Sequence, residues 1–305
     1  MTPTASTEPP EDRGPAIQDA LLAPATVLTS PGQARSWSEE QRRQGHTVAL
    51  VPTMGALHAG HLALIDLARD RADVVVVSIF VNPLQFDRQE DFDRYPRPLE
   101  VDLAVCAGHG VDAVYAPTAS AMYPPGFDTH VEPGAVAEPF EGAGRPGHFA
   151  GVATVVTKLF AAVSPHVAVF GEKDAQQLAV IRRFTRDLDL GVEILAIPTA
   201  READGLALSS RNLRLSRQDR AAAICLPRAL QAAQAMVYAG ERSARSIEAA
   251  ASAQITAEPL ARIEYLALVD PSNFGRIADL EDSGLLILAV WFGEIRLIDN
   301  QLLTC

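Results

Sequence analysis

The chain has 305 residues, 48% of them hydrophobic and 21% charged, long enough for a large α/β domain with a smaller one attached. Its 26 Lys and Arg stand against 38 Asp and Glu, a net charge of −12; this provides no global field for DNA or RNA, since phosphate neutralisation needs clustered cations. No apolar run reaches the ~20 residues that span a bilayer, and Cys106, Cys225 and Cys305, widely separated and odd in number, suit a reducing cytoplasm better than a disulfide framework or zinc cluster.

Residues 1–24 are rich in Pro, Thr, Glu and Asp and lack a basic segment followed by an apolar core, which predicts a disordered extension and not a secretory signal. Ser30 to Gln44 reads as a polar helix and Thr47 to Val51 as the first buried strand. A glycine-containing turn follows, Pro52-Thr53-Met54-Gly55-Ala56-Leu57-His58-Ala59-Gly60-His61, and His61 to Arg71 suits an amphipathic helix. Val74 to Val81 is apolar and β-branched, as a strand covered on both faces should be, and stops at Asn82-Pro83. Pro98 to His109 reads as a helix, Ala113 to Tyr115 as a short strand, and Pro117 to Gly147 as a long loop with little regular structure.

Val152 to Val163 predicts a helix, Val167 to Phe170 a strand ending at Gly171-Glu172-Lys173-Asp174, Gln176 to Asp187 a helix and Val192 to Ile197 a strand. The alternation predicts right-handed parallel βαβ units, an α/β, Rossmann-like sheet domain over 25–199. Sites in such sheets collect beyond the carboxyl ends of strands, so 52–61, 82–86, 171–177 and 198–211 are expected to converge. Beyond Arg201 the pattern changes. Ser216 can cap one Ala-rich helix to about Ala239 and Ser246 another to about Ala257; Arg262 to Val269, Leu285 to Phe292 and Glu294 to Ile298 resemble strands. These predict a smaller α+β domain over 200–305.

A strand, turn and helix with one histidine is ordinary scaffold. Two histidines three apart, framed by Gly55 and Gly60 at a strand end, point instead to a nucleotide phosphate. Glycines let the backbone approach a polyphosphate, and the helix start supplies free N–H groups and a positive dipole end. Gly142-x-Gly144-x-x-Gly147 is a weak dinucleotide match, with no strand before it and Pro146 inside it, and no G-x-x-x-x-G-K-[ST] is present. His58 and His61 lack the H-E-x-x-H context or cysteine pair of a zinc site.

Lys173 can neutralise phosphates, with Asp174 positioning a ribose, a metal or a base; a solvated ion-pair turn is the plainer alternative. Ser209-Ser210-Arg211-Asn212 supplies hydroxyls, a guanidinium and an amide suited to a pyrophosphate leaving group, against a polar cap joining two domains. Gln85 and Gln177 can orient a polar substrate, although isolated glutamines usually face solvent. Asn82 and His148 leave the same two readings open, and Arg145 can bind an anion, with an exposed arginine the plainer alternative.

Together, Pro52 to His61, Phe80 to Phe86, His148 to Val152, Gly171 to Asp174, Asp204 to Asn212 and Arg296 to Asn300 resemble the pantothenate synthetase (pantoate–β-alanine ligase) family of the nucleotidylyltransferase superfamily, whose H-x-G-H signature matches His58-Ala59-Gly60-His61. The resemblance implies ATP-dependent condensation of (R)-pantoate with β-alanine through pantoyl adenylate, with Mg2+ and in a homodimer. It implies that Pro52 to His61 and Gly171 to Asp174 bind ATP, that Ala200 and Leu208 to Arg211 approach ATP from the second domain, and that Gln85, Gln177, Asn82 and His148 hold substrate. His61, His58, Lys173, Ser209, Ser210 and Arg211 would act on the leaving group. Ala175 stands where an aromatic residue often follows Gly-Glu-Lys-Asp, and Leu84 where Met or Thr is common. The alternatives are a related ATP-dependent nucleotidylyltransferase or acid ligase, and a nucleotide-sensing protein without turnover.

Overall fold

The computed structural model describes residues 24–305; the extension expected over 1–24 lies outside the described residues except for Pro24. The chain opens with β1 (Thr26–Leu28), a three-residue strand that the sequence reading did not assign. It is short and has one buried residue, so pattern alone does not mark it; pairing with a later strand creates it. Ser30 then caps α1 (Pro31–Arg43), its Oγ accepting from the Gln33 N–H at 3.3 Å.

Next come β2 (Val48–Thr53), α2 (Ala59–Arg71), β3 (Val74–Ile79), α3 (Gln89–Asp93), α4 (Leu99–Gly108) and β4 (Ala113–Tyr115). β2 runs two residues past the expected Val51 because Pro52 and Thr53 stay in register with Ser78 and Ile79 of β3. The stretch read as loop, 117–147, holds α5 (Ala119–Met122), a 3-10 turn at Ala135–Ala137 and α6 (Glu141–Gly144). That correction has a tertiary cause. Buried Gln176 donates to the carbonyls of Val136 and Pro139 and accepts from the Glu141 N–H, satisfying backbone groups that a local pattern does not reveal.

The chain continues through α7 (His148–Val163), β5 (Val167–Gly171), α8 (Ala175–Asp187) and β6 (Glu193–Ile197). All six strands are parallel, in the order β1-β4-β3-β2-β5-β6. Alternation along the central strands feeds two cores. Val48, Leu50, Val74 and Val76 face one side with α1, α7 and α8; Ala49, Val51, Val75 and Val77 face the other with α2 and α4. Successive side chains point to opposite faces, so continuous apolar runs are what a doubly covered sheet requires.

The remainder forms α9 (Arg217–Ala222), α10 (Cys225–Tyr238), α11 (Ala244–Thr256) and the antiparallel sheet β7 (Ala261–Val269), β8 (Ser283–Phe292), β9 (Ile295–Thr304). The single helix expected over 216–239 is two, because Pro227 lacks the N–H that would continue the first into the second. α11 starts at Ala244 and not at Ser246, fixed by the Ala244 N–H to the Ala278 carbonyl at 2.9 Å. β9 extends to Thr304, well past Ile298, since it pairs with β8 as far as Ser283. Polar Asp299-Asn300-Gln301 hides that continuation in the sequence. One face of this sheet packs on α10 and α11, while Ala267, Val269, Leu285 and Ile287 on the other join the core beside the parallel sheet.

Candidate active site

The strand order reverses between β2 and β5, so the loops leaving their carboxyl ends diverge and open a crevice there. β2 delivers Met54 to His61 and β5 delivers Gly171 to Asp174. Thr53 ends the strand with its hydroxyl donating to the Ser78 carbonyl at 2.7 Å and accepting from the Gly55 N–H. Gly55 has φ +82°, and a Cβ there would lie 2.8 Å from Asp102 Oδ2 and 3.0 Å from Ile79 Cγ2, so only glycine fits. Buried Asp102 of α4 accepts the N–H groups of Ala56 and Leu57, each at 2.8 Å, and thereby sets the loop.

His58 is the N-cap of α2. Its Nδ1 accepts the Gly60 N–H at 3.2 Å, and His61 Nδ1 accepts the His58 N–H at 3.3 Å. Backbone N–H groups only donate, so each neutral ring carries its proton on Nε2. Burial, then the charge of His58, pushes the His61 pKa down to about 4, with Asp174 opposing. Burial and Lys173 lower that of His58 as well. At neutral pH the pair therefore offers Nε2–H donors beside a helix N-terminus.

Asn82 follows β3 and is buried. Its amide donates to Gln85 Oε1 at 3.0 Å and the Gly151 carbonyl at 3.1 Å, while its oxygen accepts from Tyr123 and the Leu84 N–H. Its hydrogen-bonding capacity is thus used within the protein, and it orients Gln85. Gln85 Nε2 lies 3.3 Å from Met54 Sδ, at the start of the loop that leads to His58 and His61. The Gln85 carbonyl accepts from His148 Nδ1 at 2.8 Å and Arg145 Nη2 at 3.2 Å, and Arg145 Nη1 meets His148 Nε2 at 3.1 Å. Arginine only donates. His148 is therefore neutral, and burial followed by Arg145 takes its pKa down to about 4.

Lys173, Asp174, Ala175, Gln177, Arg145 and His148 line one cavity, closed on its far side by Tyr265, Ile298 and Asn300. Gln176 and Gln177 both line this cavity, and the Gln176 side-chain amide is spent on bracing the 136–141 segment. A second hollow is walled by Lys173, Leu206, Ser209, Arg211 and Leu297, so Lys173 is common to both. Ser209 Oγ accepts the Arg211 N–H at 3.2 Å, and Ser210 is exposed. Ala200 anchors the arm that carries them, its carbonyl accepting from Leu208 N–H at 2.8 Å. Asp174 lies within the crevice yet open to solvent, and Lys173, followed by Arg211, holds its carboxyl below the usual range.

The model of the pantoate–β-alanine ligase family matches residues 26–302. The chain belongs to that family. It is 51% identical over 275 residues to the pantothenate synthetase of Heliobacterium modesticaldum, covering 90% of this chain and 98% of that one. It is 54% identical over 257 residues to that of Roseiflexus sp., covering 84% and 92%. Among solved structures, the pantothenate synthetase of Thermus thermophilus superposes with TM-score 0.84 at 46% identity, covering 90% of this chain and 98% of that chain. A pantoate–β-alanine ligase of Francisella tularensis, solved with β,γ-ATP and β-alanine, gives 0.74 at 33%, covering 91% and 97%. Membership makes the chain an ATP-dependent ligase that joins pantoate to β-alanine.

Three residues at this crevice have no role in the sequence-based expectations. Asp102 left only a faint signal, a carboxylate one helical turn from buried Cys106 on α4. Tyr95, whose phenol pKa burial raises, sits close enough to Arg211, Asp174 and Asp102 for their charges to act on it. Asn300 comes from the last strand, more than a hundred residues from the turn it touches.

Proposed function

We propose that ATP binds across the crevice with its phosphates between the 54–61 loop, Lys173 and Ser209 to Arg211, and that the parallel domain, 25–199, also holds pantoate while 200–305 covers the site. The observation that carries this reading is the shared position of Lys173, which walls both hollows and faces the α2 N-terminus electrostatically through His58. A pantoate carboxylate oxygen attacks the α-phosphorus, and the α–β bridging P–O bond breaks to release pyrophosphate. The β-alanine amine then attacks the acyl carbon, the C–O bond to AMP breaks, and the amine loses its proton. Nε2–H groups of His58 and His61, with Lys173, Ser209, Ser210 and Arg211, stabilise negative charge as pyrophosphate departs.

Gln85 and Gln177 orient pantoate, with Asn82, Arg145 and His148 setting Gln85. Mg2+ takes few protein carboxylates and keeps phosphate and water ligands, which suits Asp174, a solvent-exposed carboxylate lining this crevice; when bound, the ion would neutralise phosphate charge. A homodimer and a cytoplasmic location complete the reading, on family resemblance and on three cysteines unpaired among the described residues.

Pyrophosphate, AMP and pantothenate are to be followed with ATP, Mg2+ and (R)-pantoate, with and without β-alanine, in the native enzyme and His61→Ala. AMP and pantothenate should appear together only when β-alanine is present, and the variant should lose ~10²- to 10³-fold in rate. ATP binding without pyrophosphate release would favour a nucleotide sensor, and adenylation of another acid a related ligase.

A further inference from the structure

The side-chain amide of Asn300 donates to two successive backbone carbonyls, Glu172 and Lys173, each at 2.9 Å. Both N–H bonds of one nitrogen are thereby spent on the 3-10 turn that presents Lys173 and Asp174 to the crevice. Asn300 is 8% exposed and belongs to β9, the edge strand of the C-terminal sheet, so the contact crosses from one sheet domain to the other.

Its neighbour ties the opposite wall of the site. Asp299, 2% exposed, receives Arg201 in a two-point pair at 2.7 and 3.0 Å, and also accepts the Asn300 N–H at 2.8 Å. Arg201 donates in turn to the Gly205 carbonyl at 3.0 Å and bridges to Ala207. This is the arm that leads into Ser209 to Arg211. Adjacent residues of one strand thus hold both cationic walls, Asp299 the arm and Asn300 the Lys173 turn. A planar Arg–carboxylate fork fixes orientation as well as distance.

We propose that Asn300 is a positioning residue for adenylation, and that the Asp299–Asn300 step of β9 sets the separation between Lys173 and Ser209 to Arg211. The proposal rests on the reading that these groups hold the triphosphate. Without Asn300 the turn loses two donors from the other domain, and Lys173 no longer keeps a set distance from the second wall. A displacement on the order of 1 Å in such a constellation costs up to ~10²-fold.

The test separates the half-reactions in the full-length enzyme: pantoate-dependent ATP–pyrophosphate exchange, and transfer of pre-formed pantoyl adenylate to β-alanine. Asn300→Ala should slow exchange by about 10- to 100-fold through kcat and leave transfer within about twofold. Asn300→Asp, the same shape with an acceptor facing the two carbonyls, should slow exchange at least as much. Exchange near the native rate, an equal loss in both half-reactions, or failure of both variants to fold would overturn the proposal and leave Asn300 a stability residue. Lys173→Met is the control: native exchange in that variant sinks the underlying reading, whatever Asn300 does.

Discussion

At the scale of single residues, histidine ionisation is set by what each ring nitrogen meets. His148 is enclosed, donates from Nδ1 to a carbonyl and faces a guanidinium at Nε2, so a second proton has nowhere favourable to go. Its pKa is about 4 in the folded chain against about 6.5 when unfolded. Between those values the unfolded state binds the proton and the folded state does not. Stability from this residue is therefore complete above pH 6.5 and is lost as pH falls toward 4, by about 3 kcal/mol at most. Urea-unfolding midpoints from pH 7 to 4 should fall less steeply for His148→Gln than for the native chain; equal slopes would refute the assignment. The same logic at His61, whose pKa burial takes down to about 4, keeps its imidazole uncharged at neutral pH, and in the proposed site makes it a hydrogen-bond donor and not a cation.

At the scale of elements, the Pro83–Gln85 turn after β3 is shaped by the helix against it. A Cβ on Gly151 of α7 would lie 2.2 Å from the Leu84 carbonyl oxygen and 2.8 Å from the Gln85 N–H nitrogen. Both are backbone and cannot swing aside, so Gly151→Ala must push the Pro83–Gln85 turn off α7. That movement breaks the Asn82 bond to the Gly151 carbonyl and shifts Gln85. The expected result is a KM for pantoate raised ~10-fold or more with a smaller change for ATP; unaltered pantoate kinetics in a folded variant would count against Gln85 as its ligand. The H-x-G-H segment, by contrast, is legible from sequence because its geometry is local: a strand end, a positive-φ glycine and a helix cap follow one another within ten residues. The 3-10 turn at Ala135–Ala137 and the start of α6 were not legible, since buried Gln176 that holds their backbone lies on a different element.

At the scale of the whole molecule, the two sheets are joined by a second buried crossing besides Asn300. Arg296 of β9 pairs with Glu141 of α6 at 2.9 Å through Nη1 and with Glu264 of β7 at 2.8 Å through Nε, while Tyr265 donates to Glu141 at 2.7 Å. Arg296 is 12% and Glu141 11% exposed at the side chain, so removing one partner strands a poorly hydrated charge. Arg296→Met should lower unfolding free energy by about 3–5 kcal/mol, measured by urea denaturation. A loss below about 1 kcal/mol would show the pair to be solvent-screened.

The sequence by itself determined the parallel α/β core, the family to which the chain belongs and the crevice at the carboxyl ends of β2 and β5. Apolar runs, alternation, caps and contiguous motifs express short-range physics, and a chain of residues carries such information in order. Only the tertiary structure decided which polar residues face the crevice and which face the protein. Asn82 and Gln176 are spent on neighbours, Gln85 meets Met54 of the 54–61 loop, Gln177 lines the crevice, and Asp102 and Asn300 hold its loops from distant elements. A buried donor or acceptor is assigned by whichever group lies within about 3 Å of it, and at these sites that group comes from another element of the fold.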